Sequence, residues 1–154
     1  DCAIGSMRLT ATKLDSLQLH REEYVLVGKP ALLRRRPLLR PEQAQSHTFV
    51  DTNAELPLLA YWRDAPQGSD PLEFGEVRLM GTIAAVRALV LGGQGVAVLP
   101  TYFVAADLAA GRLRRLFPRT RLASDHFRLV FRADDPRRGL YPALAASMRR
   151  LPLR

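Results

Sequence analysis

Lysine is nearly missing from this chain: Lys13 and Lys29 are the only two, beside 21 arginines. Cysteine is limited to Cys2, which excludes an internal disulfide and a multi-cysteine zinc site and fits a reducing compartment. No run approaches the ~18 consecutive apolar residues that cross a bilayer as a helix, so no membrane partner is expected. Asp1 to Gly5 carry no basic stretch followed by an apolar one, so no export signal is read there. An initiator Met is absent too, and the chain is expected to be a piece of something longer. Aromatics are few, and none interleaves with arginines as a single-strand stacking platform would require. The histidines, His20, His47 and His126, are far apart in sequence, so no metal and no other cofactor is expected.

What is present points to a folded α/β protein. The length of 154 residues suits one domain or two small lobes, and 47% apolar content is enough for a core. The net charge is +8, spread over Arg34 to Arg36, Arg112 to Arg121, Arg137-Arg138 and Arg149-Arg150. Nucleic-acid binding is one use of such charge. An arginine-rich composition with solvated basic faces is the simpler reading. The Arg112 to Arg121 run reads as such a face, with charge complementarity to a second subunit or an anionic ligand as its alternative.

Short β-branched runs alternate with longer periodic ones. Strands are expected at Cys2 to Ile4, Leu17 to His20, Tyr24 to Val27, Thr48 to Val50, Val77 to Leu79, Val96 to Leu99 and Phe127 to Phe131. Helices are expected at Pro41 to Gln45, Leu56 to Arg63, Thr82 to Leu91, Phe103 to Ala110 and Leu140 to Leu151. Thr82 can cap its helix, and Gly92-Gly93 can stop it, because glycine takes the left-handed conformation without a Cβ clash. Val96 to Leu99 is apolar on both faces, as a strand covered on both sides must be. This order predicts an α/β layered fold with a mostly parallel sheet. In such sheets ligands bind at the carboxyl ends of the strands.

No catalytic constellation emerges, so no enzyme is expected. Ser6 lacks a nucleophile elbow, Gly93-x-Gly95 precedes a strand rather than opening a helix, and Cys2 reads as a small buried hydrophobe. Gly95 is expected to let two backbones approach closely, and Trp62 reads as core or as a subunit surface. Binding has more support. Asp51-Thr52-Asn53 stands between a strand and a helix, where unpaired backbone N–H groups can hold a carboxylate-like group. The same three residues can instead simply cap the helix. Gly81-Thr82 offers the same pair of readings at the next helix. Ser6, after the first strand, is either a site residue or an exposed loop serine.

Val90-Leu91-Gly92-Gly93-Gln94-Gly95-Val96-Ala97-Val98-Leu99-Pro100 resembles the helix–turn–strand of LysR-type transcriptional regulators. Asp107-Leu108-Ala109-Ala110-Gly111-Arg112-Leu113 fits that family's next helix end, Asp1 to Gly5 its Asp-x-Ala-Ile-Gly strand, and Leu17 to Gly28 its crossing strand. Arg40, Ala44-Gln45 and Arg35 to Leu38 depart from the family's usual Ser, Asp-Leu and His-Pro-Leu. The resemblance implies an N-terminally truncated effector-binding region: Rossmann-like lobes of the type 2 periplasmic-binding-protein fold, one complete and one partial. Residues 1–22 would end the first lobe, 23–122 build the second, and 123–154 return to the first. The implied function is effector sensing, with a small anionic molecule held between lobes by Ser6, Thr52, Asn53, Gly81 and Thr82. The implied partners are further copies of the chain, as homodimer or tetramer, and DNA only through a helix-turn-helix outside these residues. The implied location is the cytoplasm. An extracytoplasmic solute-binding protein of the same fold is the alternative.

Overall fold

Two separate hydrophobic clusters, rather than one, organise the chain. The computed structural model describes residues 2–6 and 13–152. They form two compact units, one taking the residues up to Glu22 and from Ser124 onward, the other Glu23–Ala123. In chain order the elements are β1 (Cys2–Gly5), β2 (Leu14–Glu22), β3 (Tyr24–Gly28), α1 (Pro30–Arg35), β4 (Thr48–Asp51), α2 (Pro57–Arg63), β5 (Glu76–Leu79), α3 (Ile83–Leu91), β6 (Val96–Pro100), α4 (Thr101–Ala109), β7 (Arg114–Arg115), β8 (Asp125–Arg132) and α5 (Tyr141–Arg149). Pro41–Ser46 and Arg138–Leu140 are single 3₁₀ segments.

The smaller unit is an antiparallel sheet in the order β1-β8-β2, with α5 packed against it. Its core is Leu129, Phe131, Tyr141 and Ala145, with Leu17, Leu19 and Met148 against them. The Phe131 and Tyr141 rings pack at a tilt of 31°, with centroids 4.3 Å apart. Tyr141 donates to Asp135 Oδ2 at 2.9 Å, and Arg137 pairs with the same carboxylate, so the turn into α5 is fixed by charge as well as by packing. Cys2 is exposed here, contrary to the buried position expected of it. The reason is topological: β1 lies at the edge of the sheet.

The larger unit holds a five-stranded sheet in the order β5-β4-β6-β3-β7. Strands β3 and β6 are buried at every residue, which is why their sequences are apolar throughout. The expectation of a mostly parallel sheet needs correction. β4 pairs in parallel with β5 and β6, but β3 runs antiparallel to both β6 and β7. Helical crossovers impose parallel pairing only on β4, β5 and β6; β3 enters from the other unit without one. α1 and β7 were not expected. Arg114 and Arg115, expected on a solvated face, pair with Gly28 and Val27 while remaining exposed. Trp62 is core, 2% exposed, and its indole N–H donates to the Asp70 carbonyl at 2.9 Å.

Two helix ends in this unit follow one physical pattern. Gly93 (φ +75°) and Gly111 (φ +68°) each take the left-handed turn just after a helix. Gln94 N–H then returns to Leu89 O, and Arg112 N–H to Asp107 O, so carbonyls orphaned at the helix end are satisfied. Gly95 stands where β6 meets β4. A Cβ there would lie 2.6 Å from the Thr48 carbonyl oxygen and 2.8 Å from Val50 Cγ2, so only glycine allows the approach.

Candidate functional site

The ladder between β4 and β5 ends at Asp51 opposite Leu79, yet the two chains stay joined beyond it. Met80 N–H donates to Asp51 O at 2.9 Å, and Gly81 N–H donates to Thr52 O at 2.8 Å. Gly81 has φ +75°, a conformation glycine adopts without a Cβ penalty, so the chain can turn sharply there into α3. Thr52, Gly81 and Thr82 are thus gathered at the carboxyl edge of adjacent parallel strands. Asn53 follows Thr52 and is exposed. Thr101 opens α4 at the end of β6, on the same edge, and its N–H donates to Glu23 O at 2.8 Å. Reading the residues missed Thr101, although Pro100-Thr101 after an apolar strand carries the same strand-end signal as Asp51-Thr52. Ser6 belongs to the smaller unit, just past the end of β1.

The donors at this edge are unevenly available. The N–H groups at the start of α2 were expected to be open, and they are not. Asp51, fully buried, accepts from Leu58 N–H at 3.3 Å and Leu59 N–H at 3.1 Å, and from Thr52 N–H at 2.6 Å. A carboxylate of the chain itself therefore occupies that helix start, because Pro57 opens the helix and Leu56 (φ +53°) folds it back over Asp51. The capping alternative holds for this turn, with Asp51 in the role.

α3 is different. Thr82 Oγ1 accepts from Ala85 N–H at 3.2 Å, so Thr82 is its N-cap. That bond uses an oxygen lone pair and leaves the hydroxyl proton able to donate. Ile83 and Ala84 begin the helix, and their N–H groups have no acceptor within it. The Thr52 hydroxyl makes only a long 3.4 Å contact with Asp51 Oδ1. Asn53 spends Oδ1 on Glu55 N–H at 3.0 Å and keeps its amide hydrogens. The edge therefore presents donors: two hydroxyls, one side-chain amide and the start of a helix. Such a set suits an acceptor-rich ligand.

Behind this edge, α3 and α4 are fastened by charge. Asp107 is fully buried and pairs with Arg87 at 2.6 Å and Arg112 at 2.7 Å. Burial alone would raise its carboxyl, but the Arg112 and Arg87 guanidiniums outweigh it and hold the group below its ordinary value. Arg112 is solvent-exposed, as expected of its basic run, and is an ion-pair partner as well. Among the described residues no three His, Cys, Asp or Glu side chains converge as a metal site. Among them, too, no helix is long and apolar enough to cross a membrane.

This architecture is the type 2 periplasmic-binding-protein-like fold found in LysR regulatory domains. The chain is similar in structure to the CrgA regulatory domain, a LysR-type transcriptional regulator from Neisseria meningitidis, with a TM-score of 0.77 and 20% identity. That likeness covers 97% of this chain and 74% of the other. The C-terminal domains of a LysR family protein from Agrobacterium tumefaciens give a TM-score of 0.78 at 20% identity, covering 97% of this chain and 73% of that one. In sequence, 76 residues are 42% identical to the HTH-type transcriptional regulator PtxR of Pseudomonas aeruginosa. That stretch is 49% of this chain and 20% of PtxR, so the match spans about a fifth of the curated relative. The family model of the LysR substrate binding domain matches residues 1–151, and the chain belongs to that family.

Proposed function

We propose that this chain is the effector-sensing part of a LysR-type transcriptional regulator that acts in the cytoplasm as a homodimer or tetramer. It senses and does not catalyse. DNA is read by a helix-turn-helix domain outside these residues. The effector is a small anion, and its contacts are Thr52, Asn53, Gly81 and Thr82 at the carboxyl edge of the larger unit, with Ser6 from the smaller one. The family match supports this reading over an extracytoplasmic solute-binding protein.

One observation carries the site: the Gly81 N–H to Thr52 O bond, which brings two hydroxyls and the open start of α3 to one edge. The donors there exceed the acceptors, and the nearest carboxylate, Asp51, is turned inward and already bonded. Binding shifts a two-state equilibrium only by as much as the ligand prefers one state. An effector held by these donors would therefore act by favouring the arrangement in which they converge on it.

A thermal-shift panel of pyruvate, succinate, citrate and phosphoenolpyruvate tests this, followed by calorimetry on any stabilising acid. Thr52→Ala is expected to weaken that acid by about 1–3 kcal/mol, the cost of leaving a buried acceptor unsatisfied. A dissociation constant unchanged in Thr52→Ala, Thr82→Ala and Ser6→Ala alike would remove this edge from the site.

A further inference from the structure

At the other ends of the same strands, arginines surround a pocket of about 410 Å³. Arg35 and Arg36 reach it from the end of α1, Arg78 from β5, and Gln94 from the turn before β6. Thr48 and Gly95, at the amino ends of β4 and β6, line its floor. Four strand residues at about 3.3 Å each separate this end from the Thr52 edge. This pocket is therefore separate from the Thr52 edge.

The charges here are not balanced. Arg78 is partnered: its Nε donates to Glu76 Oε1 at 2.8 Å, and its Nη1 donates to Gln94 Oε1 at 3.3 Å. Glu76 also accepts from the Thr48 hydroxyl, so the carboxylate at the rim is already committed. Arg36 donates to the Ser46 carbonyl at 3.3 Å and pairs with no carboxylate. Arg35 has no hydrogen bond or ion pair among the described residues. Basic side chains at the end of α1 are favourable for its dipole. The dipole does not explain why a third guanidinium, from strand β5, opens onto the same hollow. His47 closes one wall and is 3% exposed. Its ring nitrogens are shut off from solvent, so it shapes the pocket rather than binding in it.

We propose that this pocket binds the phosphate group of a small molecule. A guanidinium offers parallel N–H donors that match two oxygens of a phosphate, and two uncompensated guanidiniums match a dianion. The concave shape favours a small ligand over a flat macromolecular surface. Gln94 keeps its side-chain amide hydrogens for a third oxygen or for the esterified part.

The test is an NMR titration of the ¹⁵N-labelled chain with inorganic phosphate and, separately, with glucose 6-phosphate, both at matched ionic strength. The expected result is saturable shifts at Gly93, Gln94 and Gly95. The double substitution Arg35→Gln with Arg36→Gln should weaken them at least about tenfold, or 1.4 kcal/mol. Arg119→Gln with Arg121→Gln removes the same charge from exposed positions outside the pocket and should leave them unchanged. Tighter binding of the ester identifies a phosphorylated small molecule, and equal binding identifies inorganic phosphate; either supports the site. Shifts still linear at about 20 mM overturn it, as does equal weakening in both double variants. Saturable shifts confined to Thr52, Gly81 and Thr82 also overturn it, and would instead strengthen the effector reading of that edge.

Discussion

The backbone N–H of Gly81 donates to the carbonyl of Thr52 at 2.8 Å, just beyond the last paired residues of β4 and β5. The bond depends on Gly81 holding φ +75°. A β-branched residue is strained there, so Gly81→Val should lower stability by about 1–2 kcal/mol in urea unfolding. Thr82→Ala, which removes only the cap of α3, should cost about 1 kcal/mol. Equal stability of Gly81→Val and the parent chain would show that the turn does not need glycine.

Asp107 ties α3 to the end of α4 through Arg87 and Arg112. The carboxylate is inaccessible, while the two arginine side chains are 33% and 55% exposed. Removing the charge leaves arginines that can reach water, which moderates the loss. Asp107→Asn should cost about 2 kcal/mol. Because the folded group titrates below its ordinary value, its stabilisation is complete above the unfolded value near 4. It disappears as pH falls through the lower, folded value. Acid unfolding followed by circular dichroism should show that the variant loses less stability than the parent between about pH 4 and 2.

Gly95→Ala should be costly for a purely steric reason. The new methyl group would press on the Thr48 carbonyl and on Val50, both fixed in β4, which is paired on both sides. Overpacking of this kind costs about 1–3 kcal/mol, measured as a lower denaturation midpoint. Gly139→Ala, with open space around it, serves as the control. A drop no larger than the control's would mean that β4 and β6 can separate freely.

His47 gives a pH dependence of its own. Burial pushes its pKa below the ordinary value near 6.5, while the nearby Arg36 and Pro37 carbonyls offset part of the shift. Neither ring nitrogen makes a hydrogen bond of good geometry with those carbonyls, so burial governs. The unfolded chain therefore binds a proton that the folded chain resists. Stability should be full above about pH 6.5 and decline as pH falls toward the folded value. His47→Leu should remove that slope, read as the difference between the two chains in urea midpoint across pH 5 to 7. Parallel curves would assign the slope to other groups.

Much of the secondary structure is legible from local patterns. The run Val96 to Leu99 can only be a covered strand, since both its faces are apolar, and it is buried throughout. Thr82 and Gly93 mark the ends of α3 through their own side-chain or backbone chemistry, and both act where expected. Gly95 likewise shows the close approach expected of it. Pro30–Arg35 was not read as a helix, because six residues ending in arginines carry no long periodic stripe. The antiparallel entry of β3 was also illegible, because pairing direction depends on where a strand arrives from.

At the candidate edge the division is sharper. Thr52, Asn53, Gly81 and Thr82 stand out in the sequence as residues between strand and helix. That Asp51 turns inward and takes the amides of α2 follows from the fold of residues Thr52 to Leu56, which no spacing announces. Arg35, Arg36 and Arg78 read along the chain as scattered surface charge. They line one hollow only because the end of α1 and the turn before β6 come together there and the Arg78 side chain of β5 reaches back to Glu76 and Gln94. Periodicity and short-range chemistry made most of the longer elements, the cap and stop of α3, the close glycine and the family legible in the sequence. Which amides were already taken, which carboxylate was buried and which pocket arginines had no carboxylate partner among the described residues emerged only with the tertiary fold. Those properties depend on groups distant in sequence, and only folding brings them within hydrogen-bonding distance.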